Sequence, residues 1–360
     1  GDTSGDYCQM LLALIGIRDA PIITQDDLDA VGDPPELEEV EEEKIEETPT
    51  VTPFSGFNCD EDCQVLKKAM KGFGTDEAAI IKVMGHRSSD QRVQIVENYK
   101  KLFNKDLRKE LKSELSGDFE ETILALCEGK LEHDAFQLMK SMKGLGTDEN
   151  GLIDILCTRS SAQIEKIREY YKNKYKKNLE DDISSETSGH FKRLLISMTQ
   201  ANRPEGCVID RAKARNDAKK IHEAAHKFGT DESRFNAILC SRSYAQLRAT
   251  FEEYKKLTSK DIQDTIKDEM SGDLSAGMIS IVQCVENKSK HFAKRLYQST
   301  KGLGSDDNAI IRIVVGQCEI DMVQIKQQFQ TIYQNSLKDY LSDDISGDYK
   351  KIILALIGEG

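Results

Sequence analysis

The chain has 360 residues, 38% of them hydrophobic, and a formal net charge of −13 at pH 7. Residues 21–53 hold twelve acidic residues and one lysine, whereas residues 54–360 carry no net charge. A neutral body argues against nucleic acid as a partner, because a nucleic-acid footprint needs clustered basic charge, and no apolar run approaches the roughly 20 residues of a transmembrane helix.

The chain begins with a predicted short helix and an acidic linker. Asp2-Thr-Ser-Gly-Asp-Tyr7 and the apolar run after it copy the chain's own ending from Asp344 onward. Residues 1–19 are therefore predicted to be the terminal helix of a preceding, truncated repeat, in a chain that is the back half of a longer protein. Residues 20–53 combine prolines with a glutamate-rich centre, which predicts a solvated linker or tail and a candidate surface for protein partners.

Four similar repeats follow, predicted at 54–128, 129–203, 204–287 and 288–360. Each contains a glycine-rich loop, and an acidic residue lies 40 positions after the last loop glycine in every repeat. The last glycines of successive loops are 72, 83 and 75 residues apart, so the 40-residue span is predicted to be a rigid unit. The loop segments are Met70-Lys-Gly-Phe-Gly-Thr-Asp-Glu77, Met142-Lys-Gly-Leu-Gly-Thr-Asp-Glu149, His226-Lys-Phe-Gly-Thr-Asp-Glu232 and Thr300-Lys-Gly-Leu-Gly-Ser-Asp-Asp307.

Helix signals surround each loop and predict an all-α fold. Only Pro204 interrupts residues 54–360, which are rich in helix-forming residues. The hydroxyl residues after the loop glycines suit the N-cap of the next helix; they are Thr75, Thr147, Thr230 and Ser305. A capping box opens a further helix in three repeats and is lacking in the fourth; the boxes are Ser88 to Gln91, Ser160 to Gln163 and Ser243 to Gln246.

The glycine-rich loops suit a hard cation. A Gly-x-Gly turn permits positive φ angles and can direct successive carbonyl oxygens to one point. Calcium takes six to eight oxygens at about 2.3–2.6 Å, often including a bidentate carboxylate. Met70, Gly72 and Gly74 can offer main-chain oxygens, and Glu114 a carboxylate if the helices fold back over the loop. A lone Gly-x-Gly is more often a helix C-cap, but four loops with a common spacing to an acid are specific.

A single carboxylate per loop favours a calcium ion that bridges to lipid. The bound ion would keep a charge of about +1 and open coordination positions, so the loop alone should bind weakly, at ~10⁻⁴ M or poorer, until a lipid phosphate completes the site. Several bridges on one face add avidity. Flanking lysine and apolar side chains are candidates for membrane contact: Lys71, Phe73, Lys143, Leu145, Phe228, Lys301 and Leu303.

Other interpretations compete with membrane binding. A helical-repeat scaffold that binds proteins and uses calcium for stability fits the same repeats. His222-Glu223-Ala-Ala-His226 matches the HExxH zinc motif, but His226 falls in the third loop, where a helix is expected to end, so we predict no enzyme. Cys59 and Cys63 could form half of a metal site, although nine cysteines without CxxC spacing favour reduced thiols in the cytosol.

The loops and their distant acids closely resemble the annexin repeat, in which Lys-Gly-x-Gly-Thr is followed by an acidic residue some forty positions on. The resemblance covers residues 54–360 and is strongest to the C-terminal four repeats of the eight-repeat annexin. It implies four repeats of about five helices in a curved disc, with calcium loops on the convex side. It also implies a cytoplasmic protein without enzyme activity that becomes peripheral on phosphatidylserine-type membranes when calcium rises.

The resemblance implies a set of calcium ligands. They are the carbonyls of Met70, Gly72 and Gly74 with Glu114; of Met142, Gly144 and Gly146 with Glu186; and of Thr300, Gly302 and Gly304 with Asp344. Minor calcium positions are matched by Glu77, Glu149 and Asp307.

The sequence departs from the family pattern at two positions, and each departure predicts a structural difference. Lys227 stands where the third loop should have a glycine, and that loop is expected to be shortened, so Gly229 and Glu269 are weaker candidates for ligands. Gln317 replaces an arginine of the other repeats and is expected to weaken internal pairing in the fourth; those arginines are Arg87, Arg159 and Arg242. Asp2 has no partner loop, and no calcium is expected there.

Overall fold

The structure, a computed structural model, describes residues 36–40, 47–72, 74–144, 146–226, 229–302 and 304–359. Within these ranges the chain forms nineteen helices and one two-stranded sheet, as expected of a mostly helical fold. The helix predicted in residues 1–19 lies outside the described residues. None of the described helices is both long and apolar enough to cross a membrane.

The helices are arranged in four groups. The first is α1 (Cys59–Ala69), α2 (Glu77–Met84), α3 (Ser89–Phe103), α4 (Leu107–Glu114) and α5 (Gly117–Leu126). The second is α6 (Lys130–Ser141), α7 (Glu149–Leu156), α8 (Ser161–Tyr175), α9 (Leu179–Glu186) and α10 (Gly189–Thr199). The third begins with α11 (Arg211–His226), α12 (Glu232–Ser241), α13 (Tyr244–Thr258) and α14 (Ile262–Glu269). Next come α15 (Gly272–Ser299), α16 (Asp307–Gln317), α17 (Met322–Tyr333), α18 (Leu337–Asp344) and α19 (Gly347–Leu356).

The long helix α15 joins the third group to the fourth. Its backbone leaves helical geometry at Asn287, where φ is −164° and ψ is 105°. The segments on either side of Asn287 are therefore the last helix of the third repeat and the first helix of the fourth. Counted in this way, each repeat has five helices, which confirms the predicted repeat architecture.

The N-caps after the loops differ from the prediction by one residue. The caps are aspartates, and Asp76 accepts a hydrogen bond from the Ala79 amide at 3.0 Å. The other three loops use Asp148, Asp231 and Asp306 in the same way. Aspartate is a stronger N-cap than threonine, and the hydroxyls predicted to cap the helices make other bonds. The prediction of Thr75 and its equivalents as N-caps was wrong.

The capping boxes are complete in two repeats. Ser88 and Ser160 each exchange both bonds with the glutamine three residues on. In the third repeat Ser243 accepts from the Gln246 amide, but the Gln246 side chain bonds to the backbone of Asp210 instead. The fourth repeat has Asp321 at this position without a side-chain cap bond, as its sequence predicted.

Two apolar cores hold the repeats together in pairs. One core joins the first and fourth repeats, for example through Leu66 and Leu356, and the other joins the second and third. Asp154 connects the two halves, because its carboxylate accepts from Arg295 at 2.6 and 3.0 Å and from Arg312 at 2.9 and 3.2 Å. These two arginines lower the pKa of the buried Asp154 carboxyl, although burial opposes the shift. A buried carboxylate with two arginine partners remains charged and fixes the geometry between the halves.

Each of the first three repeats contains a bidentate ion pair, which is buried in the first two and part-buried in the third. Arg87 holds Asp62 at 2.7 and 2.8 Å, and the arginine lies 25 residues after the aspartate. The same spacing and geometry recur in Arg159 with Asp134 and Arg242 with Asp217. In the fourth repeat Gln317 takes the arginine position and the buried Phe292 the aspartate position. The expected loss of internal pairing there is confirmed, and it involves both partners.

The acidic segment before the repeats contacts the body where it is described. β1 (Leu37–Glu39) pairs antiparallel with β2 (Val208–Asp210) in the connection between the second and third repeats. Farther along, Thr50 donates to the carbonyls of Cys318 at 3.1 Å and Leu356 at 2.6 Å, and Val51 is buried. Backbone pairing and one buried apolar side chain therefore tie these two stretches of the predicted linker to the body, while residues 36–39 remain exposed to solvent.

Candidate metal centre

All four glycine-rich loops are closed by the same backbone hydrogen bond. The amide of the capping aspartate donates to the carbonyl seven residues earlier, at the end of the preceding helix. The pairs are Asp76 to Ala69 at 2.9 Å, Asp148 to Ser141 at 2.8 Å, Asp231 to Ala224 at 3.0 Å and Asp306 to Ser299 at 2.6 Å. The third loop thus has the same length as the others. The expectation that it is shortened was wrong, and its departure is a substitution at Lys227.

The loop glycines adopt backbone conformations that require glycine. In the first loop Gly72 has φ +111° and Gly74 has φ +88°, and a Cβ added at either would meet no atom within 4 Å. These two positions therefore require glycine because of their backbone torsion angles, and not because a side chain would be crowded there. The corresponding glycines of the second and fourth loops, and Gly229 of the third, also have positive φ. Lys227 lies outside the described residues.

The distant acids come back to the loops, as the 40-residue spacing predicted. The Thr75 hydroxyl donates to a carboxylate oxygen of Glu114 at 3.3 Å, and the Thr230 hydroxyl donates to Glu269 at 2.9 Å. In the second repeat the Thr147 hydroxyl donates to the backbone carbonyl of Glu186 at 3.1 Å. Three of the four acids are thus tied to their loop by the hydroxyl residue that follows the last glycine.

In the fourth loop the hydroxyl residue does not bond to the distant acid. The Ser305 hydroxyl donates to the two carboxylate oxygens of Asp307, both at 2.9 Å. Asp344 is the last residue of α18 and is exposed. Among the described contacts, no hydrogen bond joins Asp344 to its loop. In the fourth repeat the loop hydroxyl is therefore bonded to Asp307, one of the predicted minor calcium ligands, and not to the distant acid Asp344.

The candidate donors of the loops combine exposed and buried residues. The loop glycines and the four distant acids are exposed, while Met142 and Thr300 at the start of two loops are buried and Met70 is half-buried. Main-chain carbonyls with one carboxylate suit a hard cation such as calcium and leave room for further ligands. In the described part of the chain, no three acidic, histidine or cysteine side chains form a metal-binding group.

The residues predicted to touch a membrane are only partly described. Lys71, Lys143 and Lys301 are exposed beside the loop glycines. The Lys301 ammonium lies 5.7 Å from the centre of the Tyr297 ring. The apolar candidates Phe73, Leu145, Phe228 and Leu303 lie outside the described residues.

The HExxH sequence lies at the end of a helix. α11 ends at His226, and its imidazole Nδ1 lies 3.1 Å from the His222 carbonyl oxygen. The two rings are 4.2 Å apart between their centres. Glu223 instead approaches Arg234 at 3.4 Å. This glutamate, which would be the general base of a zinc protease, is engaged in an ion pair, and no third ligand joins the two histidines in a metal-binding group within the described region.

Comparison with known proteins gives a consistent result along the body of the chain. The family model described as Annexin matches residues 61–126, 133–198, 216–281 and 291–356. Annexin A13 of Homo sapiens is 48% identical over 303 residues, covering 84% of this chain and 96% of that protein. Annexin A4 of Sus scrofa is 47% identical over 310 residues, covering 86% of this chain and 97% of that protein.

Some relatives are longer than the matched region. Annexin A11 of Oryctolagus cuniculus is 48% identical over 310 residues, which cover 86% of this chain. The chain spans 62% of the length of that protein and 64% of annexin A7 of Homo sapiens.

Solved structures agree with the sequence comparison. Annexin III superposes with a TM-score of 0.84 at 41% identity, covering 86% of this chain and 97% of that one. A calcium-bound annexin, annexin (Sm)1, superposes with a TM-score of 0.76 at 31% identity, covering 87% and 93%.

Proposed function

The chain belongs to the annexin family, and from this premise we propose that it binds acidic phospholipid membranes reversibly through calcium ions held in its glycine-rich loops. Calcium is the ion of this family, and calcium-dependent phospholipid binding is its typical activity. The observation that carries the proposal is the hydrogen bond that ties a distant carboxylate to its own loop, Thr75 to Glu114 and Thr230 to Glu269. The family is not one of enzymes, and the proposal includes no catalytic step.

The proposed ligands are main-chain oxygens and one acid for each ion. The first site uses the carbonyls of Met70, Gly72 and Gly74 with Glu114. The second and fourth use Met142, Gly144 and Gly146 with Glu186, and Thr300, Gly302 and Gly304 with Asp344. We assign minor calcium positions to Glu77, Glu149 and Asp307. The positive φ angles and solvent exposure of the glycines support this assignment, because they leave carbonyl oxygens free of helix bonds.

Charge explains why a membrane would strengthen the site. With one carboxylate, a loop that holds Ca²⁺ keeps a net charge of about +1. The protein oxygens fill only some of the six to eight coordination positions of the ion. A lipid phosphate supplies both the missing ligands and the missing negative charge. The exposed Lys71, Lys143 and Lys301 add attraction for the same headgroups, and several loops acting together give avidity.

The third loop is the weakest candidate. Gly229 keeps a positive φ of 82°, and Glu269 accepts from Thr230 at 2.9 Å, so the acid has the same position as Glu114. Lys227 replaces one glycine and adds a positive charge. We propose that this loop binds calcium less tightly than the first and contributes Phe228 to membrane contact.

The proposed location follows from the thiols and the membrane role. The cysteines in the described region are all free. Free thiols suit a reducing compartment, so we place the protein in the cytoplasm, peripheral on membranes when calcium rises. Protein partners of the acidic N-terminal segment are part of the proposal, although Glu36 and Glu38 already contact Arg215 and Arg211 of the same chain.

Vesicle sedimentation tests this function. The protein is mixed with phosphatidylserine vesicles, calcium is titrated, and EGTA is added to a parallel series. We expect pelleting in calcium and release in EGTA, with higher calcium midpoints for Glu114→Gln and Glu186→Gln. Glu97→Gln on the exposed face of α3 is the matched control and should retain the wild-type midpoint. Equal pelleting with and without calcium, or none in either, contradicts the proposal and favours a calcium-stabilised protein scaffold.

A further inference from the structure

A cavity of about 780 Å³ lies where the second, third and fourth repeats meet. Its lining includes Ser160 to Gln163, the Arg203 to Cys207 connection, Tyr244, Arg248 and Lys288. We call it the junction cavity. In the second repeat the calcium loop precedes α7 and Ser160 follows it, so the two lie at opposite ends of an eight-residue helix about 12 Å long. The Ser160 side of the junction cavity therefore lies beyond the end of α7 that is opposite to the second calcium loop.

Three cations of the junction cavity have no carboxylate partner. Among the described residues, no acidic oxygen lies within 4.0 Å of the charged groups of Arg203, Arg248 or Lys288. Arg203 donates to the carbonyls of Leu239 and Arg242 at 2.7 and 2.5 Å, and Arg248 donates to the carbonyl of Val285 at 3.0 Å. Neutral carbonyls orient these side chains without neutralising them.

Lys288 is the least satisfied of the three. Its ammonium makes no hydrogen bond with the described part of the chain. Burial lowers the pKa of Lys288, and the nearby Arg159 guanidinium lowers it further, while Asp321 and Glu47 oppose the shift. An ammonium in this surrounding gains from any anion that enters the cavity.

Two helix N-termini face the same space. Ser160 is the N-cap of α8, Ser161 and Ala162 begin that helix, and Tyr244 and Ala245 begin α13; all five residues line the junction cavity. Amides in the first turn of a helix have no partner within the helix, and the positive end of the helix dipole favours anions.

The acidic side chains of the junction cavity are fewer than the basic ones. Glu47, Glu205 and Glu319 line it. Glu319 already accepts from Arg92 at 2.8 Å and lies 3.5 Å from Lys130. The other basic residues of the lining are Lys130 and Arg159. Five cations face three carboxylates in the lining. Outside it, Asp134 neutralises Arg159 and Arg92 neutralises Glu319, so these two pairs offset each other and an excess of positive charge remains.

We propose that the junction cavity binds a small anion that carries two or more phosphate groups. Three cations without a carboxylate partner and two helix N-termini can neutralise several negative charges, and the volume lies within the range of small-molecule sites, about 300–1,000 Å³. Such phosphates occur in soluble metabolites and in phosphorylated lipid headgroups. The site does not depend on calcium or on the proposed membrane function, because it uses none of the loop residues.

Isothermal titration with inorganic tripolyphosphate in EDTA tests the proposal. We expect saturable binding of one tripolyphosphate per chain, weakened about tenfold or more by Lys288→Met and by Arg248→Met. Lys172→Met, at an exposed position near the far end of α8, should bind as wild type does. Thermal unfolding of each variant shows whether it retains the fold. Absence of saturable binding to the wild type, or equal weakening in Lys172→Met, overturns the proposal.

A second arm identifies the source of the phosphate groups. Vesicles containing phosphatidylinositol 4,5-bisphosphate are sedimented with the protein in EDTA, with and without tripolyphosphate. Binding that tripolyphosphate displaces assigns the cavity to a lipid headgroup, and saturable tripolyphosphate binding without vesicle binding assigns it to a soluble anion. Membrane binding in calcium should be unchanged in Lys288→Met, so failure of this proposal is distinguishable from failure of the calcium loops.

Discussion

Replacing Gly72 by alanine isolates the contribution of backbone geometry to the calcium site. The native φ of +111° is one that residues with a Cβ rarely adopt, and no atom lies within 4 Å of the added methyl group. The substitution therefore introduces strain without a clash. Strain of this kind costs on the order of 1–3 kcal/mol. An exposed loop can escape the strain by relaxing, which turns the Gly72 carbonyl away from the ion.

The strain translates into calcium affinity. If the loop must return to its native shape to bind the ion, 1–3 kcal/mol corresponds to about 5- to 150-fold weaker binding at the first site. The shift in the calcium midpoint of vesicle sedimentation should be smaller, because the other loops still bind. The thermal unfolding temperature should change little, since the loop is exposed.

A glycine far from the loops provides the matched control. Gly206 has φ +115° and likewise no atom within 4 Å of an added Cβ, but it lies in the connection before the third repeat. Gly206→Ala should introduce the same strain and leave the calcium midpoint unchanged. A Gly72→Ala midpoint within twofold of wild type, or an equal shift in both variants, would refute the argument from loop geometry.

Two further predictions concern stability. Asp62→Asn leaves Arg87 charged and unpaired in a site where the two side chains are only 7% and 10% exposed, so it should reduce the free energy of unfolding by about 3–5 kcal/mol. Urea denaturation measures this, with the exposed Glu61→Gln as control; a loss below about 1 kcal/mol would contradict it. Burial lowers the pKa of His133 and of His291 to about 4, so the unfolded chain binds more protons between pH 6.5 and 4, and stability should fall as pH decreases through that range. His133→Leu should make this pH dependence shallower, and an unchanged slope would count against it.

Much of the fold and the site follows from local sequence patterns. The repeat spacing, the capping boxes of Ser88 and Ser160, and the return of Glu114 to its loop were all predicted, because short-range signals recurred at fixed distances. Helix-cap chemistry was predicted less well. Threonine and aspartate are both good caps, and only the packing shows that the Thr75 hydroxyl turns to Glu114 while Asp76 caps the helix.

Long-range contacts were harder to predict. The 25-residue spacing from Asp62 to Arg87 recurs in three repeats and could have revealed the ion pairs, since the spacing is visible in the sequence. The pairing of Leu37–Glu39 with Val208–Asp210 has no such signal, because a three-residue acidic strand resembles a solvated segment until its partner is known. The ligand assignments and the repeat boundaries stay predictions.

The most direct measurement is anomalous diffraction at long wavelength from crystals grown in calcium chloride with a short-chain phosphatidylserine. We predict an ion in the first loop at about 2.3–2.6 Å from the Gly72 carbonyl and from the carboxylate of Glu114, with a water or lipid phosphate in the remaining coordination positions. A first loop without anomalous density, or an ion there with Glu114 turned away from it, would contradict the account.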